Sequence, residues 1–368
     1  MAKNKIKIEG QKWSNERVRA DRTDELYKDI PEGETIMPIK DLRVVYRTDN
    51  SETVAVENFS LDIKKGELVS IVGPSGCGKT TILRCIAGLL QPTSGTIMIG
   101  NNECTSPGSD RGMVFQDFAL FPWRTVKQNV EFGMEIAGVP KEEREERAMK
   151  YIKAVGLEKF ADSRIHELSG GMKQRVGIAR AIALNPDFIM CDEPVSALDV
   201  SIQAQVVNLL RNLQQQMGLA YIFITHDLSM VRQISDRIAV MYAGKIVEYG
   251  TADDVFYDPR HPYTWALLAS MPDLETKEKL SAIPGTPPNM ILPPKGDAFA
   301  ARNHYAMEID LEEQPPMFQI SETHQAATWL LHPNAPKVVP PAIVTERIER
   351  MRRRERDQEA MDKGGMKA

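Results

Sequence analysis

Short apolar runs alternate along the chain with stretches whose apolar residues have helical spacing. Residues 68–72, 187–192 and 219–225 are mostly apolar runs, which are typical of strands buried on both faces of a parallel sheet. Residues 170–184 and 198–217 have helical spacing, and each stretch precedes one of these runs. Alternating strands and helices predict an α/β fold with a largely parallel sheet and helices on both of its faces.

Other parts of the chain depart from this alternation. Residues 39–46 and 54–63 are predicted to be strands that form an antiparallel lead-in to the first buried strand. Residues 125–159 are rich in Glu, Lys, Arg, Ala and Met at helical spacing, which predicts a helical insertion outside the sheet. Proline-rich sequence after residue 272 predicts an irregular extension in which short strands could form. The charged residues 345–368 predict a frayed helix or a disordered, solvated tail.

The composition excludes several classes of protein. With 42% hydrophobic and 26% charged residues, the chain of 368 residues is ordinary for a globular protein, and no apolar run is long enough to span a bilayer. The N-terminus is basic but lacks the apolar segment of a secretory signal, so we do not expect secretion. A net charge of −5 argues against a nucleic-acid partner, because such binding needs a basic face. The four cysteines form no C-x-x-C pair and are expected to be small core residues in a reducing cytosol.

A glycine-rich loop between a predicted strand and a predicted helix carries the clearest chemistry. Its residues are Gly73, Pro74, Ser75, Gly76, Cys77, Gly78, Lys79 and Thr80, and the helix continues from Thr81. The glycines let successive backbone N–H groups turn inward around an anion, and the helix N-terminus adds a partial positive charge. Lys79 can reach the β- and γ-phosphates, and the Thr80 hydroxyl can ligate Mg²⁺. We therefore expect this loop to bind a nucleotide, with Cys77 as a small filling residue that could be sensitive to alkylation.

Two further elements can handle phosphate. Asp192 ends a buried strand, where its carboxylate can hold Mg²⁺, and Glu193 can polarise an attacking water as a general base. Ser169, Gly170 and Gly171 open a helix, so that a hydroxyl and free amides meet at a positive helix end. Two phosphate sites in a chain with one nucleotide loop suggest that two chains share each nucleotide.

These elements, together with others in the same order, resemble the ATP-binding cassette of ABC transporters over residues 38–270. The correspondence comprises Walker A at 73–80, the Q-loop at Gln116, the signature motif at 168–171, Walker B and the catalytic glutamate at Asp192 and Glu193, the D-loop at 196–199, the H-loop at His226, and the adenine-stacking aromatic at Tyr46. This resemblance implies the fold of a P-loop NTPase, with a helical subdomain inserted into the cassette.

The resemblance also implies a role for each matching residue. Glu193 and His226 would act on the attacking water and the γ-phosphate, and Gln116 would sense that water and Mg²⁺ beside the metal ligands Thr80 and Asp192. Tyr46 would stack on adenine, although a strand tyrosine is also a common core residue. Ser169 and Gly171 would close over the γ-phosphate bound to the opposite subunit, and Asp199 would link the two sites across the interface. The cofactors expected on this basis are ATP and Mg²⁺.

Two parts of the chain resemble different importers. Residues 110–126, the short helical insertion and residues 169–180 are similar to the ATPases of nitrate, sulfonate and taurine importers. Residues 192–205, 261–264 and 283–288 are similar to the ATPases of oligopeptide and dipeptide importers. Because more of the chain resembles the second group, we expect peptides as the cargo, with nitrate, sulfonate or taurine as the alternative.

The C-terminal extension departs from the pattern of the peptide group at four positions. Many peptide-importer ATPases have four cysteines there that bind an iron–sulfur cluster, and the matching residues here are Asp297, Asn303, Asp310 and Thr328. Since none of these residues offers a thiolate, we expect no iron–sulfur cluster.

The chain is therefore expected to have four segments. These are a polar N-terminal extension at 1–37, the cassette at 38–270 with its helical subdomain at about 117–168, a proline-rich extension of the oligopeptide-importer type at 271–340, and a charged tail at 341–368.

The expected function is that of the ATP-hydrolysing subunit of an ABC importer for peptides, bound peripherally at the cytoplasmic face of the cell membrane. The expected partners are transmembrane permease subunits, an extracellular solute-binding protein indirectly, and a second ATPase subunit in a homodimer or heterodimer. No nucleic acid is expected as a partner. A cassette ATPase of DNA repair or translation is the alternative from another class, but such proteins usually carry long coiled-coil arms or two cassettes.

Overall fold

The antiparallel part of the fold consists of strands along which buried and exposed side chains partly alternate. Strands β1 (Thr35–Thr48) and β2 (Ser51–Lys64) pair antiparallel along most of their length. Two later strands, β4 (Ser94–Ile99) and β5 (Asn102–Glu103), extend this sheet in the order β2-β1-β4-β5. Because this sheet leads into the first buried strand, the structure confirms the predicted antiparallel lead-in.

The computed structural model describes most of the chain and divides it into two units. The described residues are 30–31, 33–49, 51–226, 228–271, 283–291 and 293–365. The first unit comprises the residues up to 226 together with 243–245, and the second comprises 227–242 and the residues from 246 onwards. The predicted N-terminal extension at 1–37 lies mostly outside the described residues.

Parallel strands form the centre of the first unit. Strands β3 (Leu68–Val72), β6 (Arg111–Val114), β7 (Phe188–Asp192) and β8 (Ala220–Thr225) are hydrogen-bonded in the order β3-β8-β7-β6, and all three pairings are parallel. Every side chain of β3 and β8 is buried, in agreement with the apolar runs in the sequence. Parallel strands end at the same edge of a sheet, so the residues that follow β3, β7 and β8 are brought together.

The described residues of the first unit include five α-helices. They are α1 (Lys79–Ile86), α2 (Val126–Ile136), α3 (Lys141–Ala154), α4 (Gly170–Ile182) and α5 (Val200–Met217). Helix α2 begins with a capping box, in which the Thr125 hydroxyl accepts from the Gln128 backbone N–H at 3.2 Å and the Gln128 side chain accepts from the Thr125 N–H at 3.0 Å. Helices α2 and α3 bury Val130, Met134 and Ile152, which confirms the predicted helical insertion.

In its described ranges, the second unit combines short strands with five α-helices. Its strands β9 (Arg237–Tyr242), β10 (Lys245–Thr251), β11 (Phe318–Gln319) and β12 (Gln325–Ala326) have the order β11-β12-β10-β9. Its helices are α6 (Leu228–Ile234), α7 (Ala252–Tyr257), α8 (Pro262–Ser270), α9 (Glu308–Glu312) and α10 (Ala342–Gly365). Strand β12 pairs antiparallel with β10, so the proline-rich extension contributes two short strands to a sheet.

A buried carboxylate holds the second unit together at β10. Glu248 is fully buried, and its two oxygens accept the backbone N–H of Arg260 at 2.6 Å and of His261 at 3.1 Å. The ring nitrogen Nε2 of the buried His324, next to β12, lies 2.9 Å from the same carboxylate. These hydrogen bonds satisfy the buried oxygens, so Glu248 joins the extension to β10 and to the start of α8.

The four residues at the expected cluster-cysteine positions of peptide-importer ATPases each accept a hydrogen bond from the nearby backbone. Oδ1 of Asp297 accepts from the backbone N–H of Phe299, and Oδ1 of Asn303 accepts from that of Tyr305. In the same way, Asp310 accepts from the N–H of Met307 and Thr328 accepts from that of Leu330. Each side-chain oxygen thus supports local backbone geometry. Within the described ranges, no group of three or more His, Cys, Asp or Glu side chains is arranged to hold a metal ion.

The charged C-terminal sequence forms helix α10, where the sequence left open a frayed helix or a disordered tail. Val344 is fully buried at its start, and the Arg347 guanidinium donates to the backbone oxygen of Leu268 at 2.7 Å. Arg352 lies over the Tyr257 ring with its Cζ 5.5 Å from the ring centroid. The first half of this helix is therefore anchored on α7 and α8 by Arg352 and Arg347, which a count of charges does not reveal. Among the helices of the described residues, none has the length and apolar content needed to cross a membrane.

Candidate nucleotide site

Two glycines of the glycine-rich loop adopt left-handed backbone conformations. Gly76 has φ +79° and Gly78 has φ +102°, which residues with a Cβ rarely adopt. A Cβ on Gly78 would lie 2.4 Å from the Ala55 carbonyl oxygen, so β2 packs directly behind the loop. Ser75 and Gly76 are exposed at the open side, whereas the Cys77 side chain is buried. Burial raises the pKa of the Cys77 thiol, which favours the interpretation of this residue as filling space.

Lys79 begins helix α1 and points back into the loop. Its ammonium group donates to the backbone oxygens of Gly73 at 2.8 Å and Pro74 at 2.9 Å, and the side chain is buried. These two carbonyl groups satisfy the buried charge of the ammonium group. Lys79 is thus held within the loop, at the position from which a bound phosphate could take over its hydrogen bonds.

Thr80 and Asp192 meet at the edge of the parallel sheet. The Thr80 hydroxyl donates to Oδ1 of Asp192 at 3.3 Å, although the residues are 112 positions apart in the chain. Burial raises the pKa of the Asp192 carboxyl, and the charge of Glu193 adds to this effect, whereas the hydrogen bond from Thr80 opposes it. A hydroxyl and a carboxylate at this separation are the hard oxygen ligands that Mg²⁺ prefers, so the residues present fit the expected metal.

Glu193 and His226 form the second pair at this edge. Oε2 of Glu193 lies 3.4 Å from Nδ1 of His226, which follows β8. Glu193 has φ +45°, an unfavourable value for a residue with a side chain, and its backbone N–H donates to the Ile224 oxygen at 3.1 Å. Strain held by a neighbouring strand is a feature of functional sites. A carboxylate and an imidazole in this arrangement can accept a proton from water and orient it.

Gln116 lies after β6 and reaches towards the D-loop. Its amide Nε2 is 3.5 Å from the Ser196 hydroxyl, and that hydroxyl donates to the Glu193 backbone oxygen at 3.0 Å. Ser196 therefore joins Gln116 to the strained backbone of Glu193. This contact role of Ser196 was not predicted from the sequence, because a serine in the D-loop cannot be distinguished there from an ordinary turn residue.

Tyr46 lies beside the start of helix α1. Its hydroxyl is 3.3 Å from the Thr81 hydroxyl, and its ring is partly exposed. This places an aromatic side chain next to the phosphate loop.

The signature motif and Asp199 cap helices in this single chain. The Ser169 hydroxyl accepts from the Met172 N–H at 3.4 Å, and Oδ1 of Asp199 accepts from the Ile202 N–H at 3.0 Å. Gly170 and Gly171 pack against the D-loop side of the unit, since a Cβ on Gly171 would lie 2.5 Å from Cγ2 of Ile202. The structure thus brings the predicted residues into two groups, one around the phosphate loop and one at the start of α4 and α5.

Comparison with protein families gives two matches along the chain. Residues 56–196 match the family described as ABC transporter, and residues 247–309 match the family described as oligopeptide/dipeptide transporter, C-terminal region.

Curated relatives match nearly the whole chain. The oligopeptide transport ATP-binding protein OppD of Bacillus subtilis (strain 168) is 45% identical over 338 residues, which cover 86% of this chain and 94% of that protein. AmiE of Streptococcus pneumoniae serotype 4, also an oligopeptide transport ATP-binding protein, is 43% identical and covers 87% and 96%. The dipeptide transport ATP-binding protein DppD of Lactococcus lactis subsp. cremoris is 40% identical and covers 86% and 97%.

Solved structures match the cassette portion of the fold. A dimeric, post-hydrolysis structure of the ATP-binding cassette MJ0796 bound to ADP and Pi has a TM-score of 0.54 and 35% identity, and covers 59% of this chain and 98% of that one. The structure of cbiO1 from Clostridium perfringens has a TM-score of 0.56 and 31% identity, with 61% and 91% covered. These likenesses confirm the predicted P-loop cassette fold.

The relatives also decide between the two importer groups suggested by the sequence. All three relatives are named for oligopeptide or dipeptide transport, and residues 247–309 match the C-terminal region of the same transporters. The nitrate, sulfonate or taurine alternative is not supported. The chain belongs to the ATP-binding proteins of ABC transporters and, within them, to the oligopeptide and dipeptide transport group.

Proposed function

We propose that this chain hydrolyses ATP with Mg²⁺ to drive the import of oligopeptides or dipeptides through separate permease subunits. The observation that carries the proposal is the meeting of Thr80, Asp192, Glu193 and His226 at the carboxyl edge of β3, β7 and β8. These four side chains supply, in one place, oxygen ligands for a metal and an acid–imidazole pair for water.

The residues of this edge have separable tasks in hydrolysis. Lys79 would exchange its carbonyl partners for the β- and γ-phosphates, and Tyr46 would stack on the adenine ring. Glu193 would accept a proton from the attacking water, whose oxygen attacks the γ-phosphorus as ADP leaves, and His226 would hold that water in line. Mg²⁺, held by Thr80 and Asp192 with Gln116 nearby, would neutralise charge on the phosphates.

The second phosphate contact would come from another chain. Gly171 lies against α5 in the first unit, and a helix N-terminus with an exposed serine, here Ser169, can bind the γ-phosphate of a partner. Asp199, at the start of α5, would connect the two sites. The dimeric form of MJ0796 supports this arrangement by analogy.

Permease contact is proposed for the helical insertion. Trp123 is 68% exposed and Ile136 is 57% exposed, although both are large apolar side chains. Trp123 packs on Phe121, with ring centroids 5.5 Å apart, so its ring is held outward. Exposed aromatic residues held in place are characteristic of protein contact surfaces.

Peptide cargo is supported by the relatives and by the second unit, whose sequence matches the C-terminal region of peptide transporters. The cassette chemistry alone does not select a cargo, because the site handles only nucleotide. The proposal is therefore tested in two stages, one for hydrolysis and one for uptake.

Hydrolysis is tested with the purified full chain and its Glu193→Gln variant. We expect E193Q to lower the ATPase rate by about 100-fold or more, since the proton acceptor is lost, while ATP binding remains. The exposed Glu103→Gln serves as a control and should leave the rate unchanged. Equal rates in E193Q and wild type would refute the role of Glu193.

Uptake is tested in cells that express only the wild type or only E193Q. We expect wild-type cells alone to accumulate a labelled oligopeptide, while taurine uptake is the same in both. A difference confined to taurine would refute peptide cargo and leave the ATPase assignment intact.

A further inference from the structure

The backbone that follows Gln116 contains an unusual turn. Phe118 has φ +58° and Ala119 has φ +46°, so two successive residues with side chains adopt the left-handed conformation. Such residues are unfavourable there because Cβ crowds the following carbonyl group, and two in succession need support from outside the turn. The turn's own bonds are local, from Phe118 N–H to the Phe115 oxygen and from Ala119 N–H to the Asp117 oxygen.

The outside support comes from Arg180 on helix α4. Its guanidinium donates from Nη1 to the Ala119 oxygen at 2.6 Å and from Nη2 to the Phe118 oxygen at 3.1 Å. A planar guanidinium can engage two carbonyl groups with a fixed separation, which a lysine cannot do. The Phe118 oxygen also lies close to α4 at Gly177, where an added Cβ would be 3.8 Å away. The turn is therefore fastened to this helix by two hydrogen bonds and close packing.

Helix α4 is the helix that the signature motif opens. Ser169 caps it, and Arg180 lies about three turns further along the same helix. On the other side of the turn, Gln116 is only two residues before Phe118 and reaches Ser196. Arg180 thus joins the segment that carries Gln116 to the element that carries the signature serine.

The far end of the same loop has a separate anchor. Asn129 of α2 is fully buried, and its side chain accepts the Phe121 N–H at 2.8 Å and donates to the Thr125 oxygen at 2.9 Å. Asn129 fixes the loop to the helical insertion, whereas Arg180 fixes it to the signature helix. The two anchors therefore tie one loop to two different elements.

We propose that Arg180 is a positioning residue for ATP hydrolysis, which holds the Phe118–Ala119 turn on helix α4 so that Gln116 and the signature motif move together. This inference rests on the proposed function, because it requires that Gln116 serve the site and that Ser169 meet a nucleotide. Arg180 itself would contact neither nucleotide nor water. Its loss would leave the binding loop intact but allow Gln116 to leave its position.

The test compares Arg180→Ala, Arg180→Lys, Ala119→Gly and the double variant R180A/A119G in the full chain. We expect R180A to lower kcat by roughly tenfold, the scale expected when a group at the site is mispositioned, with KM for MgATP changed by less than about twofold. R180K should be intermediate, because an ammonium group can replace only part of the two-pronged contact. A119G alone should leave kcat unchanged.

The double variant separates positioning from simple stabilisation of α4. Glycine adopts the left-handed conformation without the Cβ penalty, so the turn then depends less on Arg180. We expect R180A/A119G to recover at least about threefold in kcat over R180A. If R180A does not fold, R180K and R180K/A119G provide the same comparison.

Hydrogen–deuterium exchange gives a readout of the turn itself. Peptides spanning 116–125 should exchange faster in R180A than in wild type, and A119G should slow that exchange in the R180A background. An R180A variant with lost activity but unchanged exchange at 116–125, or no recovery in the double variant, would overturn the proposal. If E193Q retained wild-type hydrolysis, the proposed function itself would fail, and this outcome is visible without any Arg180 variant.

Discussion

The buried imidazole of His261 makes the stability of this protein depend on pH. His261 caps helix α8, because its ring nitrogen Nδ1 accepts the Tyr263 backbone N–H at 3.0 Å. The Glu248 carboxylate accepts the backbone N–H of His261 itself. The side chain is fully buried, and this burial lowers the pKa of His261 to about 3. Protonation would place a charge in the core and convert the accepting nitrogen into a donor.

The direction and size of the pH effect on stability follow from the difference between the His261 pKa in the unfolded and the native states. In the unfolded chain the His261 pKa is near 6.5, so between pH 6.5 and pH 3 the unfolded state binds a proton that the native state does not. The stability from the neutral ring is therefore complete above pH 6.5 and falls as the pH decreases. From pH 7 to pH 5, this group alone should lower the free energy of unfolding by about 2 kcal/mol.

The assay is urea unfolding of the wild type and His261→Asn at pH 7 and pH 5. Asparagine keeps an acceptor for the Tyr263 N–H but does not titrate, so all other titrating groups are common to both proteins. We expect the wild type to lose about 2 kcal/mol more than H261N over this interval, even if H261N is less stable at pH 7. Tryptophan fluorescence, to which the buried Trp265 of the same helix contributes, reports the unfolding. Parallel losses in the two proteins would refute a neutral native His261.

Two further predictions concern the phosphate loop. Gly78→Ala should destabilise the protein by more than the roughly 1–2 kcal/mol expected for Gly76→Ala, because both have positive φ but only the Gly78 Cβ would lie 2.4 Å from the Ala55 oxygen. Urea unfolding checks this, and equal losses would contradict the packing of β2 behind the loop. Thr80→Val should raise the Mg²⁺ concentration needed for half-maximal ATPase activity, because an oxygen ligand is removed, whereas Thr80→Ser should not. Magnesium titration at fixed ATP checks this, and overlapping curves for T80V and T80S would show that the hydroxyl is not a ligand.

Patterns over several residues allowed most of the cassette to be predicted. Apolar runs located β3, β7 and β8, because strands buried on both faces need continuous apolar sequence. Parallel strands then place the ends of these runs at one edge, so Thr80, Asp192 and His226 could be expected together.

Features that depend on single conformations could not be read from the sequence. Phe118 and Ala119 give no sign that they adopt left-handed conformations, which are normally expected of glycine or asparagine. The carbonyl partners of Arg180 therefore could not be named, since they exist only once that turn has formed. The attachment of helix α10 through buried contacts was not predicted, for a related reason. Its composition is that of a solvated segment, and its attachment depends on Arg347, a charge that becomes buried.

The two carbonyl groups that hold Lys79 also shape the route by which this lysine could bind a phosphate. An ammonium group has three N–H donors, and the oxygens of Gly73 and Pro74 accept two of them. The third donor can contact a phosphate oxygen before either carbonyl group is released, so the exchange of partners can take place one hydrogen bond at a time. The buried lysine then never has to lose both carbonyl groups at once, which spares it the cost of an unpaired charge.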